Sequence, residues 1–295
     1  MSLLCLAPIL TQHEIAPRHF LLTFRAPAMA KVAQPGQFVH VRCGDTLDPL
    51  LRRPLSLHGI DRTKGTLTLL YRVVGKGTAR LSRMQPGEAL DVIGPLGRGF
   101  SLSLPFGQVV NEAVVVGGGI GVAPLLPLIE ALLNQGSQVT VLLGARSADG
   151  LLGLKAFEQT GARVEIATDD GSLGVKGNVA DLLKNWLTRG TVLPAGSGCV
   201  YACGPAPMLR TIWQMCAAHQ IPLQVSLEER MGCGVGACLA CVCRVTRTDE
   251  GKNKEISDDN NVKSSLALAA DSDWKYARVC VEGPVFWGEE VLLDE

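Results

Sequence analysis

The chain has no excess of charge of either sign, because its 28 Lys and Arg residues balance its 28 Asp and Glu residues. A neutral balance argues against a polybasic protein that binds nucleic acid or an anionic membrane surface. The N-terminus lacks a basic segment ahead of its short apolar run, so we predict no signal peptide. One long apolar stretch, Ala113 to Leu133, contains glycines and prolines, which favour a βα unit over a membrane span. These absences predict a cytoplasmic protein without a membrane span.

Glycine and cysteine stand out in the composition. Glycine accounts for 33 of the 295 residues, against a typical share of about 7%. The ten cysteines are too few for a disulfide scaffold of this length, and four of them are concentrated between Cys233 and Cys243. A tight group of cysteines in a large chain indicates metal binding rather than cross-linking.

Three segments differ in their pattern of strands and turns. Residues 1–106 contain short apolar runs bounded by Gly and Pro, which predict a small antiparallel β-barrel. Residues 107–222 alternate strands and helices, the pattern of a doubly wound parallel sheet. Residues 223–295 are compact and Cys-rich, with a polar insertion at about 246–273. The predicted fold is therefore a β-barrel, an α/β domain and a small C-terminal domain.

The cysteine spacing is the most specific signal in the chain. Cys233, Cys238 and Cys241 follow the pattern C-x4-C-x2-C, and Cys280 follows at a distance, which matches plant-type [2Fe-2S] proteins. Loop glycines allow the backbone to bring four thiolates to two irons. A zinc site and inert buried thiols remain alternatives, although structural zinc sites more often pair two short Cys motifs. We interpret Cys243 as a core thiol, because Cys280 fits the distant fourth ligand.

A glycine-rich turn from Gly117 to Pro124 follows a predicted strand and opens a helix. Such a turn at a helix N-terminus accepts a pyrophosphate, although the strict G-x-G-x-x-G pattern is absent and a tight packing turn remains the alternative. The motif Cys203-Gly204-Pro205 ends another strand of the same sheet. Ligands of doubly wound sheets bind at these strand ends, so a dinucleotide site is predicted there, with a structural turn as the alternative.

Two barrel motifs are weaker signals when taken alone. Arg53 follows a Leu-rich stretch and offers a planar guanidinium to a phosphate, although such an arginine is more often simply solvated. Gly77 and Thr78 follow the predicted strand at Leu67 to Val73, and could offer backbone N–H groups to a phosphate.

Together these motifs resemble the ferredoxin-reductase superfamily, with an FAD-binding barrel followed by a nicotinamide domain. The segment 53–56 resembles its R-x-x-S flavin motif, 119–124 its G-x-G-x-A-P turn, and 203–205 its C-G-P nicotinamide motif. The segments 228–238 and 279–286 are similar to the electron-transfer subunits of NAD-dependent (class 1B) dihydroorotate dehydrogenases. The resemblance spans nearly the whole chain, but the stretch between Cys241 and Cys280 is longer than the family leads us to expect.

The resemblance implies three cofactors, FAD, NAD and a [2Fe-2S] cluster, and a residue set for each. The residues implied to contact FAD are Arg53, Pro54, Leu55, Ser56, Leu70, Tyr71, Arg72, Gly77 and Thr78. Those implied to contact NAD are Gly119, Gly121, Ala123, Pro124, Gly204 and Pro205, with Cys203 as a catalytic residue beside the nicotinamide. The implied cluster ligands are Cys233, Cys238, Cys241 and Cys280. The sequence does not distinguish NAD from NADP. Arg146 and Ser147 follow a strand where the 2′-phosphate of NADP could bind, whereas the acidic pair Asp169 and Asp170 favours NAD.

The resemblance also implies a function and a partner. Electrons would come from an FMN-containing catalytic subunit that oxidises dihydroorotate to orotate in pyrimidine synthesis, and would pass through the cluster and FAD to NAD⁺. The expected assembly is a heterotetramer with two copies of each subunit. The alternatives are a reductase subunit of an NADPH–ferredoxin oxidoreductase, a sulfide dehydrogenase or a cytosolic hydrogenase, and, in a different class, a zinc-binding scaffold without enzymatic activity.

Overall fold

The computed structural model describes residues 2–44, 47–188, 193, 196–247 and 274–293. The first unit is a closed barrel with the strand order β1-β2-β5-β4-β3-β6, in which every pairing is antiparallel. Its elements are β1 (Leu3–Ala16), β2 (His19–Arg25), α1 (Pro27–Val32), β3 (Phe38–Val41), β4 (Arg53–Asp61), β5 (Thr66–Arg72), α2 (Lys76–Leu81) and β6 (Ala89–Leu96). The predicted antiparallel barrel is confirmed.

Strand β3 shows how the sequence pattern orients the barrel. Val39 and Val41 belong to the apolar cluster inside the barrel. Phe38 and His40 alternate with them and therefore point to the other face of the strand. Phe38 joins the apolar cluster that it shares with Cys241 and Cys280 of the C-terminal segment. The outer face of β3 is therefore covered by the cysteine-rich part of the chain.

The second unit alternates strands and helices as the sequence predicts. Its elements are β7 (Glu112–Gly118), α3 (Leu125–Asn134), β8 (Gln138–Ala145), α4 (Leu154–Gln159), β9 (Arg163–Thr168), β10 (Val175–Lys176), α5 (Val179–Thr188), β11 (Gly198–Cys203), α6 (Ala206–Ala218) and β12 (Leu223–Ser226). The stretch from Ala113 to Leu133 thus forms β7, a 3₁₀ turn and α3. No helix in the described part of the chain is long and apolar enough to span a membrane.

The C-terminal segment adds three strands, β13 (Val242–Thr246), β14 (Trp274–Arg278) and β15 (Val285–Trp287). Strands β13 and β14 pair with each other, whereas β15 joins the large sheet, whose order is β10-β9-β8-β7-β11-β12-β15. Residues 223–295, which the sequence assigns to a separate C-terminal segment, thus supply both β12 and β15 to the sheet of the second unit. The polar insertion predicted at about 246–273 lies almost entirely outside the described residues.

Candidate functional site

The cysteine loop connects β12 to β13 and has the backbone freedom that its glycines predict. Gly234 and Gly236 have positive φ values of 71° and 83°, which glycine adopts at little cost. Leu239 also has a positive φ of 57°, an uncommon conformation for a residue with a β-carbon. Inside the loop, the N–H groups of Val235 and Ala237 donate to Cys233 Sγ over 3.4 and 3.2 Å. The loop therefore directs backbone donors toward a sulfur atom.

The four predicted ligand thiols form two pairs in the structure. Cys238 lies close enough to Cys233, and Cys241 close enough to Cys280, for each thiol to shift the pKa of its neighbour. Cys280 also lies close enough to Cys233 for their charges to interact. Cys243 lies on β13 and packs against the apolar core beside the loop. Two thiol pairs brought together in this way match the needs of two irons, each held by two thiolates.

The protonation of these thiols also fits a metal centre. Desolvation raises the pKa of Cys233, but the backbone N–H groups of Val235 and Cys238 outweigh it and lower that pKa to about 6. Burial, together with the neighbouring Cys241 thiol, raises the pKa of Cys280 to about 12. A metal ion binds the thiolate form of cysteine and so displaces the thiol proton. Among the residues that the structure describes, no three His, Cys, Asp or Glu side chains meet as ligands for one metal ion.

The predicted flavin segments lie on β4 and β5, where these two strands separate. Their pairing runs from Asp61 with Thr66 only as far as Leu57 with Leu69. Beyond that point, residues 53–56 pair with β3 and residues 70–72 pair with β2. The two segments therefore diverge at the same level of the barrel, where each pairs with a different neighbouring strand.

The side chains of the predicted flavin residues have different surroundings. The Arg53 guanidinium lies over Gly77, where a β-carbon would come within 2.8 Å of Nε. Thr78 Oγ1 accepts the N–H of Val74 over 3.0 Å and so shapes the turn before α2. Tyr71 is buried in the barrel and donates its hydroxyl to Gln12 Oε1 over 3.1 Å. Its side chain therefore lies inside the barrel, and its backbone pairs with Phe20 on β2.

The two predicted nicotinamide motifs meet at the carboxyl ends of β7 and β11. These strands are neighbours, with β8 and β9 on one side and β12 on the other, so the motifs lie where the strand order reverses. Gly121 contacts Gly204 so closely that a β-carbon would lie 2.5 Å from Gly204 Cα and 2.7 Å from the Cys203 carbonyl oxygen. Only glycine allows this approach. Pro124 lies immediately before α3, at the helix entrance where the sequence predicts it.

The Cys203 side chain points into the protein beneath this turn. Only 2% of the residue is exposed, and burial together with the charge of Glu228 raises its pKa well above the ordinary thiol value, despite a hydrogen bond with Ser226. The thiol is therefore protonated at neutral pH. Its role beside the nicotinamide stays a prediction.

Two buried histidines connect the three sites, and sequence reasoning missed both. His58 on β4 bonds through Nδ1 to the Ala123 carbonyl oxygen over 2.9 Å, which ties the flavin strand to the glycine-rich turn. His40 on β3 lies against Gly234 in the cysteine loop, where a β-carbon would be 2.5 Å from His40 Nδ1. His40 lies in β3, whose four residues are all buried, and His58 follows the buried Leu57 on β4. No alternation in either segment marks the histidine as buried, so the sequence offered no signal for them.

Comparisons with known proteins agree with this arrangement. Residues 228–259 and 267–292 match the family described as the iron-sulfur cluster binding domain of dihydroorotate dehydrogenase B. Residues 115–214 match the oxidoreductase NAD-binding domain. The protein called dihydroorotate dehydrogenase B (NAD(+)), electron transfer subunit, from Desulforamulus reducens is 46% identical over 98% of both chains. This chain belongs to the family of dihydroorotate dehydrogenase B electron transfer subunits.

Further relatives of the same name support the assignment. The proteins from Bacillus caldolyticus and Geobacillus thermodenitrificans are 42% and 41% identical, each over 97% of both chains. Among solved structures, a chain of the NADH-dependent reduced ferredoxin-NADP oxidoreductase, described in the context of flavin-based electron bifurcation, has a TM-score of 0.74 and 30% identity. It covers 98% of this chain, which covers 91% of it. The ferredoxin-reductase fold and the expected set of FAD, [2Fe-2S] and NAD are thus supported, and the iron–sulfur interpretation prevails over zinc.

Proposed function

We propose that this chain is the electron transfer subunit of an NAD⁺-linked dihydroorotate dehydrogenase, in which electrons released on forming orotate leave as NADH. The observation that carries the proposal is that the three motif groups adjoin in one molecule. The flavin strand β4 bonds to the glycine-rich turn through His58, and β3, its neighbour in the barrel, contacts the cysteine loop through His40. Electron transfer requires redox groups that lie close together, and these contacts bring the three proposed cofactor sites next to one another.

Each site contributes a different part of the function. The four paired cysteines would hold the cluster, and Arg53 with the diverging segments of β4 and β5 would hold FAD. The contact between Gly121 and Gly204 would leave room for the nicotinamide dinucleotide at the sheet edge. When bound, a flavin exchanges single electrons with an iron–sulfur centre and a hydride with NAD⁺, which is why all three groups are needed.

The partner would be an FMN-containing catalytic subunit, in a complex with two copies of each chain in the cytoplasm. The surface around the cysteine loop supports a protein partner, because Cys238 is exposed and Val235 and Leu239 are 50% and 62% exposed. Exposed apolar side chains beside an exposed ligand thiol suit docking of another protein close to the cluster. No residue of this chain is assigned as the base for dihydroorotate, so that step would occur on the partner.

Anaerobic purification tests the division of labour. The isolated chain should contain iron, sulfide and flavin, and should oxidise NADH with an artificial electron acceptor while showing no dihydroorotate oxidation. Adding the catalytic subunit should create dihydroorotate-dependent reduction of NAD⁺. Dihydroorotate oxidation by the isolated chain, or copurification with a hydrogenase or sulfide dehydrogenase subunit instead, would overturn the proposal.

A further inference from the structure

His40 is a buried polar residue whose side chain has no partner to explain its position. The residue is 0% exposed, and neither Nδ1 nor Nε2 has a hydrogen-bond partner among the described residues. The carbonyl groups of Cys233 and Arg52 lie near the ring, but neither makes a hydrogen bond of normal geometry. An imidazole carries at least one N–H in either protonation state. Because buried donors are nearly always satisfied, such an unpaired group calls for an acceptor outside the polypeptide.

The surroundings of His40 place that acceptor at the cysteine loop. Gly234 packs so tightly on the ring that a β-carbon would lie 2.5 Å from Nδ1 and 3.0 Å from Cγ. Gly234 also has a positive φ of 71°. The loop thus has glycine where its backbone packs on the histidine ring, directly after the ligand Cys233.

The backbone of His40 is fixed on its other side by the flavin strand. His40 pairs with Pro54 across β3 and β4, which places it beside the predicted FAD motif. Arg52 donates to the His40 carbonyl oxygen over 3.4 Å and forms a bidentate ion pair with Asp91 at 2.9 and 3.0 Å. These contacts hold the strand that carries the ring, so the imidazole occupies a defined place between the two redox sites.

We propose that His40 is a positioning residue for the iron–sulfur centre, to which its ring N–H donates a hydrogen bond while the ring seats the cysteine loop on the barrel. The thiolate and sulfide atoms of the centre are the acceptors that the ring lacks. Hydrogen bonds to cluster sulfurs stabilise the reduced, more negative state and raise the reduction potential. His40 would thereby adjust the cluster potential to that of the neighbouring flavin. The inference rests on the proposal that the four cysteines hold the cluster.

The test compares His40→Leu, which removes the N–H, with His40→Asn, which keeps a donor close to the Nδ1 position. The cluster potential of the purified chain is measured by redox titration followed by electron paramagnetic resonance, together with iron and flavin content. We expect a lower cluster potential in His40→Leu, a smaller shift in His40→Asn, and an unchanged flavin potential in both. His58→Leu is the matched control, because His58 is also buried but already bonded to Ala123, and it should leave the cluster potential unchanged.

A cluster potential in His40→Leu equal to that of the wild type, at full iron content, would overturn the inference, as would a shift confined to the flavin. If His40→Leu does not fold, the wild-type chain labelled with ¹⁵N-histidine decides instead. A weak coupling of a ring nitrogen to the reduced cluster in pulsed paramagnetic resonance is expected, and its absence would refute the hydrogen bond. A wild-type chain that binds no cluster would refute the proposed function itself, which separates the two failures.

Discussion

Replacing Gly121 with alanine should damage the nicotinamide site while sparing the other two. The new β-carbon would lie 2.5 Å from Gly204 Cα, 2.7 Å from Gly204 N and 2.7 Å from the Cys203 carbonyl oxygen. All three atoms belong to the backbone, so no flexible side chain can yield. Moving the two turns to an ordinary contact distance of about 3.4 Å requires a separation of about 0.9 Å.

The size of this displacement sets the expected effect. Misplacing a reacting group by about 1 Å can lower a rate by about 100-fold, and overpacking costs about 1–3 kcal/mol of stability. Stopped-flow reduction of the bound flavin by NADH should therefore show kcat/KM lower by about 10- to 100-fold in Gly121→Ala. Iron and flavin contents should remain those of the wild type, because the clash lies outside the barrel and the cysteine loop.

A control of similar stability cost distinguishes a local effect from general destabilisation. Gly136 lies in the turn between α3 and β8, at the amino ends of the strands and so away from the nicotinamide motifs. It has a φ of 93° and open space where a β-carbon would go. Gly136→Ala thus costs about 1 kcal/mol by backbone strain alone and should keep normal reduction by NADH. Normal kcat/KM in Gly121→Ala, or an equal loss in Gly136→Ala, would refute the argument.

Three further predictions concern the other sites. Cys280→Ser should abolish the visible cluster absorption and lower the iron content, because Cys280 lies beside Cys241 and Cys233. Cys243→Ser should retain both, because Cys243 lies on β13 and packs against the apolar core. Arg53→Ala should lose FAD during gel filtration, with affinity lower by about 10- to 100-fold from the loss of about 1.5–3 kcal/mol of charge-assisted hydrogen bonding. Burial lowers the pKa of His58 despite its bond to Ala123. As the pH falls below about 6.5, His58 therefore takes up a proton in the unfolded chain before it does so in the folded chain. This preferential protonation favours the unfolded state, so the stability of the fold declines. His58→Phe should reduce the loss of Tm between about pH 7 and about pH 5.5.

Each of these has an outcome that contradicts it. If Cys243→Ser loses the cluster and Cys280→Ser retains it, Cys243 is the fourth ligand and Cys280 is the core thiol. Arg53→Lys provides the control for FAD, since lysine keeps the charge but not the planar fork, and undiminished flavin in Arg53→Ala would exclude this residue from the site. If the pH dependence of Tm in His58→Phe equals that of the wild type, groups other than His58 cause the loss of stability at acidic pH.

Much of the fold and of the site could be predicted from local patterns. The barrel, the alternating α/β unit and the cysteine spacing each depend on residues close together in the sequence, and the clustering of Gly121 with Gly204 follows from the rule for strand ends in parallel sheets. The separation of β4 from β5 and the addition of β15 to the large sheet could not be predicted, because both depend on pairings between distant segments. His40 and His58 were missed for the same reason.

The central claim is that this chain carries electrons from a dihydroorotate-oxidising partner to NAD⁺ through its cysteine-bound cluster. The most direct measurement is dihydroorotate-dependent formation of NADH by the partner subunit mixed with wild-type chain or with Cys280→Ser. We predict NADH formation only with the wild-type chain, while both chains still oxidise NADH with an artificial acceptor through FAD. Equal NADH formation with Cys280→Ser, or formation by the partner alone, would contradict the account.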